Sequence, residues 1–182
     1  MTELKLPSSI HLGFLTVFPE GAGFLGGYLV TNSWGRPVEF RLSTAVQPNK
    51  VQQILYGHTL TEYLCAELIG KTLVEKTATP VQLLVTDNLS VLPIRTRLDI
   101  PTILVRSEDG VSESGLDVPM IRLDHQRSSL PLWWREDHRA DDELIRAILD
   151  RVDPALELTE PFTRIREAMT EARKMGATSR AA

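Results

Sequence analysis

Between Gly23 and Val74 the hydrophobic period of the sequence changes from two to that of a helix. A strand from Phe24 to Thr31 meets the turn Asn32-Ser-Trp-Gly35, and a second strand, Arg36 to Val46, follows. In that second strand Val38, Phe40 and Leu42 alternate with Glu39, Arg41 and Ser43, so one face is apolar and the other polar. Residues 9–18 are rich in β-branched and aromatic types and add a strand before this hairpin. A three-stranded antiparallel meander is therefore the expected opening module. Gly26-Gly27 interrupts its middle strand and signals the close approach of a backbone or a ligand, and Gly13 marks a bulge or another close approach.

The helical part divides in two. Asn49 and Gln52 have the spacing of a capping box before Val51, Ile54 and Leu55. Gly57 breaks the pattern, and Thr59-Leu-Thr-Glu62 offers a second capping box. The spacing predicts helices over 50–56 and 60–76, the second with Leu60, Leu64 and Leu68 beside Cys65, Ile69 and Leu73.

Beyond them, residues 80–87 are apolar on both faces, as in a central strand, and residues 101–106 form another short strand. Leu89 to Arg97, with Pro93, reads as a short helix or an extended segment. A polar loop, 107–115, precedes a possible edge strand over 116–123, and 125–138 reads as irregular. Two patterned helices close the chain: one around Leu144, Ile145, Ile148, Leu149 and Val152, the other from Thr159 to Gly176. The fold class is α+β: an N-terminal antiparallel meander, a helical pair, further strands joining a mixed sheet, and two C-terminal helices. The division expected is a core domain over 1–123, a polar loop with a two-helix appendage packed on it over 124–176, and a disordered tail over 177–182.

Composition restricts function. In 182 residues, 42% are apolar and 24% charged, ordinary values for a folded domain that builds its own core. The net charge of −4 argues against nucleic acid as a general partner. Cys65 is the single cysteine, so no intrachain disulfide and no cysteine-based zinc site can form. No secretory leader is visible in Met1-Thr-Glu-Leu-Lys-Leu-Pro7, and no apolar run reaches the ~18 residues of a membrane span. A bacterial-type cytoplasmic protein without a membrane partner is expected.

Three places carry chemistry-bearing residues. Glu39-Phe40-Arg41 on a strand, followed by a helix, resembles the element order of restriction-type nucleases, in which two acids hold Mg²⁺ and a lysine steadies water. The chain departs from that pattern at Asn32, where an acid is required, and at Arg41, which replaces the lysine. Asp87, at the end of a buried strand, is the remaining acid for such a site. A second set, Asp124, His125, Asp137, His138 and Asp141, has metal-ligand types without metal-ligand spacing. The third, Trp133-Trp134-Arg135, concentrates residue types enriched at protein interfaces, and adjacent tryptophans in an extended segment face opposite ways. No nucleophile elbow, phosphate loop or dinucleotide fingerprint is present. The function expected is a non-enzymatic protein-binding subunit or adaptor of a cytoplasmic multi-protein assembly, with no cofactor and another protein as partner. The alternative is a divergent metal-dependent nuclease or hydrolase using the Glu39-Phe40-Arg41 strand.

Overall fold

The computed structural model describes residues 5–114 and 117–180. Its centre is a seven-stranded mixed sheet. The first three strands, β1 (His11–Glu20), β2 (Gly23–Asn32) and β3 (Pro37–Leu42), form the expected antiparallel meander. The strands β4 (Leu83–Thr86) and β5 (Thr102–Val105) lie parallel to β1. Two more, β6 (Met120–Leu123) and β7 (Leu132–Arg135), complete the order β3-β2-β1-β4-β5-β7-β6. Strand β7 thus occupies an interior position in a segment that reads as irregular from sequence. Its four residues are too few to show a period, and Pro131 precedes them as a loop would.

Helices cover both faces. The short helix α1 (Lys50–Tyr56) begins at Asn49, whose side chain accepts from the Gln52 N–H while Gln52 returns a bond to the Asn49 N–H. A 3-10 turn, Gly57–Thr59, leads into α2, residues 60–75. Thr59 does not cap α2, because its hydroxyl donates to the Tyr56 carbonyl behind it. From Tyr63 to Lys71 α2 is wound with i→i+5 bonds. The wider winding turns Leu68 outward to 37% exposure, off the stripe expected of it, while Leu64, Cys65, Ala66 and Ile69 remain buried. A 3-10 segment, Leu89–Thr96, follows β4, and the short helix α3 (Glu108–Ser112) follows β5. The chain ends in α4 (Asp142–Asp150) and α5 (Glu160–Arg180), the latter continuing through Gly176 rather than stopping there. Of the tail expected over 177–182, the backbone of 177–180 extends α5, and 181–182 lie outside the described residues.

The largest core cluster joins Leu12, Phe14, Leu83, Val85, Ile103 and Trp134 of the sheet to Ile145, Ile148 and Leu149 of α4 and Phe162, Ile165 and Met169 of α5. A second cluster lies on the opposite face, where Leu15, Val17, Tyr28, Val30 and Leu84 meet Cys65, Ile69 and Leu73 of α2. The 124–176 segment therefore supplies one interior strand and the helical half of the larger cluster.

The glycines of the meander are explained by these layers. A Cβ at Gly26 would stand 2.3 Å from Cγ2 of Ile69 in α2, and one at Gly27 would stand 2.5 Å from Cγ2 of Ile165 in α5. Each glycine admits a helix onto its own face of the strand. At Gly13 a Cβ would lie 2.3 Å from the Tyr28 hydroxyl, so this glycine makes room for the tyrosine ring, and the β1–β2 register runs through it unbroken.

Gly27→Ala is expected to lower stability by about 1–3 kcal/mol through overpacking. Gly176→Ala, where an added Cβ would meet no described atom outside its own helix backbone within 4 Å, is expected to raise it by up to about 1 kcal/mol, the helix-propensity difference between the two residues. Urea unfolding followed by circular dichroism measures both.

Candidate functional site

In an open sheet with parallel strands, ligand-facing residues gather at strand carboxyl ends where the connections part in opposite directions. Here that point lies between β1, which leads to β2 on one side, and β4, which leads to β5 on the other. Asp87 and Asn88 follow β4 directly. The Asn88 side-chain amide donates to the Val17 carbonyl on β1 at 2.7 Å, and its oxygen accepts from the Ser90 N–H at 2.9 Å, opening the 3-10 segment. Asp87 pairs with Arg166 of α5, which also approaches the buried Thr16 hydroxyl at 3.5 Å. The other Asp87 carboxylate oxygen is buried without a hydrogen-bond partner among the described residues. Further along α5, Arg173 pairs with Glu20 at the end of β1. Both arginines are about half exposed, and their pairs clip α5 to the carboxyl edge of the sheet.

Glu39 lies elsewhere. It is opposite Val30, on the face covered by α2, and accepts from the Ala78 and Thr79 N–H groups, each at 3.1 Å. Arg41 Nη2 donates to it at 3.0 Å. Strands β2 and β1 stand between β3 and β4, a lateral separation of about 14 Å at ordinary strand spacing. Asp87 points to the α5 face, so Glu39 and Asp87 do not converge. Asn32, at the place of the missing acid, accepts from the Trp34 and Arg36 N–H groups at 3.0 Å and closes the β2–β3 turn.

The histidine-containing set is dispersed. Asp124 pairs with Arg122, His125 stands 3.9 Å from Asp150, and the Asp137 carboxylate holds Arg135 at 2.6 Å. The His138 ring nitrogen is 3.8 Å from Asp137. Asp141 takes a bidentate bond from Arg95 at 2.7 and 3.1 Å and joins the 3-10 segment after β4 to the start of α4. Among the described residues, no three His, Cys, Asp or Glu side chains are placed to hold a metal ion. Burial lowers the His125 pKa, and its Nδ1 accepts from the Arg127 N–H, a bond that requires the neutral ring.

Trp133 and Trp134 do face opposite ways, but β7 is interior, so both are buried. Trp134 enters the larger cluster, and Trp133 joins Leu89, Leu92 and Leu104 in a third. The Trp133 indole donates to the Arg106 carbonyl at 2.9 Å, with the Arg122 guanidinium 5.6 Å above its ring. Arg135 is a quarter exposed and lines the rim of a cavity of about 260 Å³, together with His58, Glu62, Leu92, Val111 and Met120. Cys65 is buried, and burial pushes its thiol up to about 12, so it is inert as a nucleophile.

The exposed apolar residues are at the other end of the sheet. Helix α1 buries none of its side chains: Val51, Ile54 and Leu55 are 63%, 70% and 77% exposed. Edge strand β3 exposes Val38, Phe40 and Leu42, with Trp34 in the preceding turn. These positions are visible in the sequence as apolar periodicity, but periodicity alone does not say whether a stripe faces inward.

No family model and no curated protein sequence matches the chain. Among solved structures it is similar to the Ciona intestinalis endonuclease V crystallised with a 23mer DNA containing an inosine, at 11% identity and a TM-score of 0.46. That likeness covers 91% of this chain and 87% of the other. Among the described residues, no helix is long and apolar enough to cross a membrane.

The Glu39 carboxyl is held below the usual carboxylate range, chiefly by the Ala78 N–H and then by Thr79 and Arg41, against the opposing effect of burial. Its contribution is complete above the unfolded value of about 4.3 and is lost as pH falls through the lower folded value. Amide exchange at Ala78 and Thr79, corrected for intrinsic rates, is expected to accelerate across that acid window. In Glu39→Gln the acceleration is expected to disappear.

Proposed function

We propose that this chain is a non-enzymatic protein-binding subunit of a cytoplasmic assembly, and that its partner docks on α1. The observation that carries this reading is the exposure of Val51, Ile54 and Leu55, three apolar side chains at i, i+3 and i+4 on a helix that packs none of its residues into the core. An isolated helix of two turns is unstable in water. The capping box at Asn49 and the continuation into the Gly57–Thr59 turn hold it formed without burial. The i, i+3, i+4 spacing is that of amphipathic helices whose apolar face lies in a groove on another protein. An enzymatic role for the Glu39-Phe40-Arg41 strand has less behind it, because Glu39 is spent on the Ala78 and Thr79 N–H groups.

The alternative, a metal-dependent nuclease or hydrolase, draws support from the place of Asp87 at the β1/β4 switch point and from its unpartnered buried oxygen. Against it stand the Arg166 cation already on that carboxylate and the absence, among the described residues, of any group of three or more His, Cys, Asp or Glu side chains placed to hold a metal ion. Calorimetric titration with Mg²⁺ or Mn²⁺ separates the two. Binding heat that is lost in Asp87→Asn favours the hydrolase; no heat favours the binding subunit.

Ile54→Glu is expected to change folding stability by no more than about 0.5 kcal/mol, as for an exposed site. The same variant is expected to abolish cross-linking in cells from a photoreactive residue at position 55, which in the parent sequence captures one defined protein. Unchanged capture by Ile54→Glu, or a large loss of folding stability, sinks the reading.

A further inference from the structure

We propose that two copies of this chain pair edge to edge through β3, antiparallel about a two-fold axis at Phe40, to form one sheet continuous across the dimer. Strand β3 is an outer edge of the sheet. The Ser43 N–H donates inward to the Gly26 carbonyl at 2.9 Å, which fixes the alternation along the strand. Arg41 and Glu39 thus turn their backbone groups toward β2, and Leu42 and Phe40 turn theirs outward, unpaired within the sheet.

Natural edges are blunted by charged side chains, lysine above all, by mid-strand proline, by bulges or by covering elements. Strand β3 carries a bulge at Val38 and the charges Glu39 and Arg41, which pair with each other. It has no lysine, its proline stands at the first position, and Val38, Phe40 and Leu42 are 47%, 38% and 37% exposed. Pro37 ends the usable edge on that side, and Val38 beside it is the extra residue of the β2–β3 irregularity, so the regular run is Glu39 to Leu42 with Val38 at its margin.

That run is self-complementary. It reads apolar, acid, phenylalanine, base, apolar: Val38, Glu39, Phe40, Arg41, Leu42. With Phe40 opposite the partner's Phe40, Glu39 stands opposite the partner's Arg41 and Leu42 opposite the partner's Val38. The central pair exchanges two N–H···O bonds, since its backbone groups already point outward. A one-residue slip sets outward groups against inward ones and pairs nothing. A two-residue slip sets Glu39 against the partner's Glu39, or Arg41 against the partner's Arg41, and like charges directly opposite are destabilising. Only the Phe40-centred register satisfies backbone, charge and apolar stripe together. In the single chain Arg41 bonds Glu39 at 3.0 Å and is 39% exposed, so it reaches the partner's Glu39 with little rearrangement. A contact of five residues is small for a protein interface, so the dimer is concentration-dependent. The pairing uses β3 residues alone and does not rest on the partner proposed above.

Sedimentation equilibrium over a concentration series to several hundred micromolar tests the pairing. The native chain is expected to approach twice its 20.4 kDa mass. Phe40→Lys, which opposes two cations at the axis, is expected to remain a monomer with unchanged circular dichroism. Arg41→Glu, which opposes Glu39 with a like charge and leaves the Ala78 and Thr79 bonds in place, is expected to weaken dimerisation about tenfold. Under mild oxidation Phe40→Cys is expected to cross-link as a dimer far faster than Trp34→Cys, at a turn position that is more exposed than Phe40. A native chain of single mass throughout overturns the proposal, as does dimerisation unchanged in both charge variants or equal cross-linking at the two cysteines.

Discussion

The close approach of two helices to one strand is the contact on which this architecture depends. Adjacent residues of a strand point to opposite faces, so the neighbours Gly26 and Gly27 open one gap on each side of β2. Ile69 of α2 fills the first and Ile165 of α5, with Met169, fills the second. Any side chain at either place would lift one helical layer and open the space between layer and sheet. Because interiors are close-packed, that displacement would spread through the cluster it belongs to. The N-terminal meander therefore carries the conditions for docking an element more than a hundred residues later in the chain.

Charge does the remaining fastening, and it acts at a distance in sequence. Arg166 and Arg173 tie α5 to Asp87 and Glu20, Arg164 donates to the Gly35 carbonyl at 2.7 Å, and Arg95 meets Asp141. Arg95 and Asp141 are both mostly buried, so losing one partner would strand the other's charge away from water. The exposed pairs each contribute little and act chiefly on orientation. Several polar residues that look available for chemistry are used up in this way. Glu39 anchors the loop after α2, Asn32 closes a turn, and Asn88 joins β4 to β1.

Local pattern was enough to read the meander, the Asn49 cap, the break at Gly57 and the two closing helices, because each rests on contacts between residues near in sequence. Strand β7 was illegible for the opposite reason: what makes Leu132–Arg135 a strand is its position between β5 and β6, a long-range pairing. The exposure of Leu68 was hidden because an i→i+5 winding has no simple residue signature. For the candidate surfaces, residue types were visible but direction was not. Trp133 and Trp134 look like contact residues and are buried, whereas Val51, Ile54 and Leu55 look like a core stripe and are exposed. Periodicity reports that a stripe exists; which way it faces depends on what the remainder of the chain brings to cover it.

The seating of α1 has a thermodynamic consequence. Its side chains belong to none of the three core clusters, its ring contact with α2 is the stack of Tyr56 on Tyr63 at 4.3 Å, and Gly57 at its end holds a φ of +52° with nothing within 4 Å of an added Cβ. The helix can therefore melt and re-form without disturbing the sheet, as a separate cooperative unit of low opening free energy. Anything that binds the formed helix but not the unfolded chain then shifts that local equilibrium by mass action and raises the global unfolding midpoint with it. Occupancy of this surface would register twice, in the exchange of seven or so amides and in a melting curve that depends on partner concentration.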